Sequence, residues 1–158
     1  MGLFSFIKDA GAKLFGHEEK KEVVETKSIE EINFEKAQKL MQEIKALGLP
    51  VEDLNIVIAE DRAIVFGTPA DQATKEKIIL VVGNTEGIAE VDDKMELENA
   101  EPEARFYTVQ KGDYLSKIAK EMYGDASKYN VIFEANKPML KDPDLIYPGQ
   151  VLRIPNLD

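Results

Sequence analysis

The sequence predicts an α+β fold, divided into two small domains that differ in the order of their elements. Apolar residues at helical spacing alternate with short β-branched runs, which is the pattern of mixed helix and strand in one chain. A chain of 158 residues with a hydrophobic fraction of 44% can bury the cores of two such domains. A short polar stretch at residues 99–104 separates the two sets of elements and is predicted to be a linker.

Two segments are expected ahead of the first domain. Residues 1–16 are apolar, with glycines at positions 11 and 16 among them, and a short N-terminal helix is one interpretation of them. Residues 17–33 alternate acids and bases, which is typical of either a solvated helix or a flexible linker. Ser28 and Glu31 have the spacing of a capping box, so a helix can begin there, and a start near Asn33 is the alternative.

The first domain is predicted to cover residues 34–98 in the order α-β-β-α-β, as a three-stranded sheet with helices packed against it. Its first helix is expected to end at Gly48, which is soon followed by a proline. The apolar face of that helix comprises Ala37, Leu40, Met41, Ile44 and Leu47. Two β-branched runs on either side of Glu60-Asp61 predict a hairpin.

A second helix and a third strand complete this domain. Thr68 is expected to cap the helix, with Pro69 at its first position, where the missing N–H costs nothing. Gly83 is expected to end the helix, since glycine is the commonest residue just past a helix end. The residues from 88 to 97 are then predicted to form the third strand.

The second domain is predicted to cover residues 105–155 in the order β-α-α-β, with its two strands paired. Asp113 is expected to cap the first helix, and Gly124 is expected to end it. The second helix is expected to end at Asn136. Its candidate core positions are Tyr129, Ile132, Phe133 and Ala135.

Composition argues for a binding protein and against an enzyme. A net charge of −10 gives an acidic surface that repels phosphates, so we expect no nucleic-acid partner. The chain has no cysteine, which excludes disulfides, thiolate metal sites and cysteine nucleophiles. Its single histidine, His17, cannot alone provide a catalytic triad or a two-histidine metal site. Acidic residues lie in solvated runs, which does not favour a glycosidase pair.

The N-terminal residues lack the pattern of an export signal. No basic residue precedes the apolar residues near the start, and Ser5 and Lys8 interrupt them. No stretch reaches the ~20 apolar residues of a membrane span. We therefore expect a cytoplasmic protein that is monomeric and has no membrane-spanning segment.

Several short motifs stand at fixed spacings in the second domain. They are Tyr107-Thr108-Val109, the run from Gly112 to Ala119, Tyr123-Gly124, Ala135-Asn136 and the stretch from Ile146 to Pro155. Together they resemble a LysM domain, which implies binding of N-acetylglucosamine polymers in a shallow groove. That groove would map to Gly112, Asp113, Tyr114, Leu115, Asn136 and Pro138. Because Tyr114 stands where the family usually has threonine, we expect glycan binding to be weak or absent.

The first domain resembles a BON domain through its element order, through Gly67, and through the motifs Val82-Gly83-Asn84 and Gly87-Ile88-Ala89-Glu90-Val91. With a Met1-Gly2-Leu3-Phe4 start and one C-terminal LysM domain, the whole chain resembles a family of small bacterial potassium-binding proteins. That resemblance implies a cytoplasmic K⁺ sensor that becomes compact when it binds the ion. K⁺ is then the implied cofactor and partner.

The same resemblance implies that backbone carbonyls hold the ion. The implied ligands are the carbonyl oxygens of Ile7, Ala10, Gly83, Thr85 and Ile88. The chemistry allows this, because several neutral oxygens suit K⁺, as in carbonyl-lined channel filters. Carbonyls in the last turn of a helix lack intrahelical partners and lie at the negative end of its dipole. One such end is expected at Gly83, and a second at residues 7–11 if the N-terminal segment is helical.

Two other functions remain open from the sequence. One is the binding of peptidoglycan or a similar glycan at the cell envelope through the LysM domain. The other is a role as an assembly or scaffold protein, because LysM domains also occur in phage-tail-like machines. Export would favour the first of these, whereas a K⁺-dependent change of shape would favour the ion sensor.

Overall fold

The computed structural model describes residues 2–7 and 28–157, and their elements confirm the predicted α+β class. The first domain contains β1 (Gly2–Ser5), α1 (Ile29–Ala46), β2 (Val51–Ala59), β3 (Arg62–Pro69), α2 (Gln72–Gly83) and β4 (Glu90–Asp93). The second domain contains β5 (Arg105–Thr108), α3 (Leu115–Tyr123), a 3₁₀ turn at Ala126–Lys128, α4 (Tyr129–Ala135) and β6 (Val151–Ile154).

The sheet of the first domain has four strands in the order β1-β4-β3-β2, one more than predicted. The three predicted strands are present, although the third covers only Glu90–Asp93 of the predicted residues 88–97, and the N-terminal segment supplies the fourth. Strand β1 pairs antiparallel with β4, so that Phe4 lies opposite Val91. A helix is therefore the wrong interpretation of residues 2–5, because the edge of β4 satisfies their backbone groups. The rest of that interpretation, together with the charged segment up to residue 27, lies outside the described residues.

Helix α1 begins after Ser28, as the capping box predicts. The Ser28 hydroxyl accepts the N–H of Glu31 at 3.1 Å, and the Ser28 N–H donates to the Glu31 carboxylate at 3.4 Å. The alternative start near Asn33 is therefore wrong. The predicted apolar face packs inward, with Ala37, Leu40 and Ile44 buried and Met41 and Leu47 partly buried.

The β2–β3 hairpin is confirmed, with its turn at Glu60-Asp61, but the start of α2 differs from the prediction. Pro69 is the last residue of β3, where it lies opposite Val51. Asp71 caps α2 instead of Thr68, since its carboxylate accepts the N–H of Thr74 at 2.8 Å. Strand β3 therefore continues through Thr68 and Pro69, where the local sequence predicted the start of the helix.

The second domain has the predicted β-α-α-β order, with β5 and β6 paired antiparallel and Tyr107 opposite Leu152. Gly124 ends α3 with φ +75°, in the left-handed region that glycine adopts readily. The predicted cap is wrong, because Tyr114 occupies the N-cap position and makes no side-chain cap bond. The Asp113 carboxylate instead accepts the Tyr107 hydroxyl at 2.6 Å and pairs with the Lys117 ammonium at 3.4 Å.

Buried apolar residues of both domains form one continuous core with α2 between them. Helix α2 contacts β3 and β4 of its own domain and also β6 of the second domain. Its buried residues include Ile78, Ile79, Leu80, Val81 and Val82. A second contact between the domains joins the Phe4 and Phe106 rings, whose centroids are 5.4 Å apart. None of the described helices is long and apolar enough to cross a membrane.

Candidate functional site

The end of α2 forms one side of the candidate ion site. The helix ends at Gly83, as predicted, and most carbonyls of its last turn already accept hydrogen bonds. The Leu80 oxygen accepts the N–H of Asn84 at 2.9 Å, and the Val82 oxygen accepts the N–H of Thr85 at 3.2 Å. The Val81 oxygen accepts the Thr85 hydroxyl at 2.8 Å. The Gly83 carbonyl is the next one along the chain, directly after these hydrogen-bonded carbonyls.

The loop after Gly83 turns back toward β4. The Thr85 oxygen accepts the N–H of Ile88 at 3.2 Å, and Gly87 takes φ +90° between them. Ile88 itself is buried. Among the residues that the structure describes, no backbone N–H donates to the carbonyl of Gly83 or of Ile88. Within the described residues, the carbonyls of Gly83 and Ile88 therefore have no backbone donor, whereas that of Thr85 has one.

The N-terminal segment lies directly against this loop. The N–H of Phe6 donates to the Ala89 oxygen at 2.8 Å, which continues the pairing of β1 with β4. The Phe6 ring is buried and lies so close to Gly83 that a Cβ on Gly83 would overlap it. Ile7 follows Phe6 with its side chain exposed, while Ala10 lies outside the described residues. The fold thus brings Ile7 near the end of α2, although 76 residues of sequence separate it from Gly83.

Charged groups near the loop do not suggest a carboxylate metal site. Within residues 2–7 and 28–157, no three acidic or histidine side chains are grouped so that they could hold a metal ion. The Lys36 ammonium approaches Gly87 from α1, and a Cβ on that glycine would lie 3.4 Å from its nitrogen. Calcium and magnesium prefer charged or hydrated oxygen ligands. The loop therefore offers neutral oxygens, and a cation bound to them must also overcome repulsion from the Lys36 ammonium.

The residues implied for glycan binding divide into buried and exposed groups. Asp113 accepts the Tyr107 hydroxyl at 2.6 Å and the N–H of Gln110 at 2.9 Å. The hydrogen bond to Asp113 raises the pKa of Tyr107 to about 12, and burial adds to that shift. Burial would raise the pKa of Asp113, but the hydrogen bonds from Tyr107 and Gln110 and the nearby Lys117 together hold it below its usual value. This carboxylate is therefore used inside the domain.

Asn136 is likewise occupied, because it is buried and bonds the backbone of Arg153 at 2.7 and 2.9 Å. Leu115 is buried in the core, Gly112 takes φ +87° in a turn, and Pro138 follows a cis peptide bond. Tyr114 alone of the six exposes a large side chain to solvent, with 58% of its surface accessible.

A shallow depression of about 270 Å³ adjoins Tyr114. Its lining residues are Tyr114, Leu115, Ser116, Tyr129, Pro143 and Asp144. Tyr129 was predicted to lie in the core, but its side chain is exposed. The sequence motifs did not indicate that Pro143 and Asp144 would line this depression. Their loop follows α4 and has no regular secondary structure. The only sequence signal for this loop is the Asp-Pro-Asp run at residues 142–144, which is typical of a turn.

Two family models match the chain in the expected order. The BON domain model matches residues 35–99, and the LysM domain model matches residues 107–155. Neither model describes an enzyme. A protein of Deinococcus radiodurans, described as uncharacterized, is 55% identical over 49 residues, which are 31% of this chain and 19% of the relative.

A full-length relative comes from Escherichia coli O6:H1 (strain CFT073) and is named potassium binding protein Kbp. It is 48% identical over 160 residues, which cover 98% of this chain and 99% of the relative. The match includes the N-terminal segment and the linker as well as both domains. The resemblance that the sequence motifs indicated is therefore confirmed, and the chain belongs to the family of potassium binding protein Kbp, with a BON domain followed by a LysM domain.

Proposed function

We propose that this protein binds K⁺ and acts as a cytoplasmic K⁺ sensor. The observation that carries the proposal is the Phe6 ring packed on Gly83, because the N-terminal segment then lies beside a helix end whose last carbonyl accepts no backbone N–H from the described residues. The relative of nearly equal length, which carries the name potassium binding protein, supports the choice of ion. The absence of cysteine is compatible with a reducing compartment.

The proposed ligands are the backbone oxygens of Ile7, Ala10, Gly83, Thr85 and Ile88. Helix α2 points its negative end at this loop, which favours a cation there without any carboxylate. A cage of neutral oxygens can adjust to a large ion, but closing it around the smaller Na⁺ would strain the backbone. We therefore propose that K⁺, Rb⁺ and Cs⁺ bind better than Na⁺.

Binding would join segments that are far apart in the sequence. The N-terminal segment and the loop at residues 83–88 must come together before all the proposed oxygens reach one ion. The ion therefore favours conformations in which the segments are docked, by an amount set by its difference in affinity between docked and undocked states. On this proposal the protein responds to K⁺ by becoming more compact, as a monomeric binding protein without catalytic activity.

Titration of metal-free protein with KCl, and in parallel with NaCl at the same ionic strength, tests the proposal. We expect KCl to release measurable heat and to shift the amide signals of residues 83–88, with no comparable effect of NaCl. The radius of gyration measured by X-ray scattering should fall with KCl alone. Equal responses to the two salts would contradict the proposal.

Glycan binding is a second candidate function, favoured by the exposed Tyr114 beside the depression that Tyr129 also lines. Aromatic side chains on a surface depression can pack against sugar rings. The polar residues implied for the groove are less available, since Asp113 and Asn136 both bond inside the domain. We therefore rank this function below ion binding.

Retention on peptidoglycan or chitin beads should be weak or absent. Tyr114 fills space that a threonine would leave open, and the neighbouring carboxylate and amide already form hydrogen bonds inside the domain. The measurement is a pull-down of purified protein, repeated in the presence of free N-acetylglucosamine oligomers. Retention that the oligomers compete away would promote the glycan function over this expectation.

A further inference from the structure

Within the part of the chain that the structure describes, two asparagine side chains and no third strand bond the outer edge of β6. One edge of β6 pairs with β5, with Leu152 opposite Tyr107. The backbone groups of Val151 and Arg153 bond in addition to the amides of Asn84 and Asn136, respectively. Each amide both donates to the carbonyl and accepts the N–H of its strand residue, as a neighbouring strand would.

Asn84 makes this contact from the BON domain to the LysM domain. Its side-chain nitrogen donates to the Val151 oxygen at 2.9 Å, and its side-chain oxygen accepts the Val151 N–H at 2.9 Å. The same nitrogen lies 3.5 Å from the sulfur of Met139. Only 2% of Asn84 is exposed, so these bonds form away from water. If the domains separated, both backbone groups of Val151 would lose these partners.

The backbone of Asn84 belongs to the proposed ion site. It lies between Gly83 and Thr85, whose carbonyls are two of the proposed ligands. Its own N–H donates to the Leu80 oxygen at 2.9 Å and thereby caps α2. The Gly83 carbonyl belongs to the peptide group that joins Gly83 to Asn84, so a change in its direction rotates that peptide group and with it the origin of the Asn84 side chain.

We propose that Asn84 is a positioning residue that couples K⁺ binding at the loop to docking of the LysM domain on α2. This inference rests on the proposed function. An ion that fixes the carbonyl of Gly83 also fixes the adjoining peptide group of Asn84, and so holds the Asn84 amide in the orientation that pairs with Val151. By linkage, docking of the LysM domain on this amide favours the loop conformation that binds the ion, by the same factor.

Asn136 provides a matched control on the same strand. Its amide donates to the Arg153 oxygen at 2.9 Å and accepts the Arg153 N–H at 2.7 Å. Asn136, however, lies at the end of α4 inside the LysM domain, where it also donates to the Ile132 oxygen at 2.7 Å. Its pairing therefore stabilises the LysM domain without contacting the ion loop.

The test compares Asn84→Asp and Asn84→Ala with Asn136→Asp. Aspartate keeps the shape of asparagine and can accept the Val151 N–H, but it cannot donate to the Val151 carbonyl. Its negative charge would attract K⁺, so a loss of affinity could not come from repulsion between the new charge and the ion. The alanine variant removes both bonds and adds no charge. Circular dichroism checks that each variant is folded.

We expect both Asn84 variants to bind K⁺ roughly 5- to 150-fold more weakly than the wild type, the usual range of coupling between linked sites. Asn136→Asp should bind within about twofold of the wild type, as expected for a residue outside the coupled contact. In the wild type, KCl should shift the amide signals of the loop and also that of Val151. In the Asn84 variants, the Val151 signal should no longer follow KCl.

Wild-type affinity and a wild-type response of Val151 in both Asn84 variants would overturn the inference and leave the proposed function intact. An equal loss of affinity in Asn136→Asp would also overturn it, since the effect would then come from weakening the LysM domain. A wild-type protein that does not respond to KCl would overturn the proposed function and this inference with it.

Discussion

Replacing Gly83 with alanine should weaken K⁺ binding by roughly 5- to 150-fold, because overpacking of this kind costs about 1–3 kcal/mol. The added Cβ would overlap the Phe6 ring, so the ring has to leave its place on α2. Ile7 follows directly, and its carbonyl would move away with it. Gly83 lies in a helix and not in the left-handed region, so alanine should otherwise favour the helix by about 1 kcal/mol.

The experiment is specific because K⁺ affinity and helix content should respond differently to the substitution. Calorimetric titration with KCl should show the loss of affinity, while helix content should not fall. The matched control is Gly83→Ala in a Phe6→Ala background, where the new methyl group no longer meets a ring. There the alanine at position 83 should change the affinity little, so that the two substitutions are not additive. Full K⁺ affinity in Gly83→Ala alone would contradict the placement of the N-terminal segment in the site.

Features that depend on neighbouring residues could be predicted from the sequence. The capping box at Ser28, the hairpin turn at Glu60-Asp61 and the helix end at Gly124 all occur where the sequence places them. Each depends on the hydrogen bonds or backbone angles of a few consecutive residues, so the information is local. The same locality explains why the order of elements in both domains could be predicted.

The failures occur where a distant partner decides the outcome. Residues 2–5 are a strand because β4 has an edge for them, and nothing within the first sixteen residues indicates that edge. Pro69 stays in a strand because β2 pairs with it, although its position after Thr68 suits a helix start. Asp113 does not cap α3 because the Tyr107 hydroxyl, from β5, takes its carboxylate.

The proposed ion ligands are the least predictable part of the molecule from residue types. Every residue has a backbone carbonyl, so the side chains of Ile7 or Ile88 carry no signal for ion binding. The sequence could indicate only the helix end at Gly83, and the other ligands followed from family resemblance. Asn84 is a similar case, because an asparagine after a glycine at a helix end suggests a cap and gives no hint of its partner Val151.

Glu76 joins three segments at the junction of the two domains, and its removal should have the largest effect on stability. This α2 carboxylate is 3% exposed and lies 2.6 Å from Nε of Arg153 in β6. Its other oxygen accepts the side chain of Gln72 and the N–H of Ala104 in the linker, both at 2.8 Å. Both oxygens of this almost fully buried carboxylate thus have hydrogen-bonding partners.

Glu76→Ala should lower the free energy of unfolding by about 3–5 kcal/mol, the usual cost of removing one partner of a buried ion pair. The loss leaves the Arg153 guanidinium, only 14% exposed, without its carboxylate and leaves the Ala104 N–H without an acceptor. Urea unfolding measures the change, with an unchanged slope showing that the unfolding transition itself is the same.

The matched control is Glu134→Ala, which removes a carboxylate that is 64% exposed and lies 3.0 Å from the Lys137 ammonium. That variant should lose at most about 1 kcal/mol, because solvent screens exposed pairs. If both variants lost the same small amount, the junction would not depend on Glu76, and the docking of the LysM domain on α2 would have to rest on Asn84 and the shared apolar core.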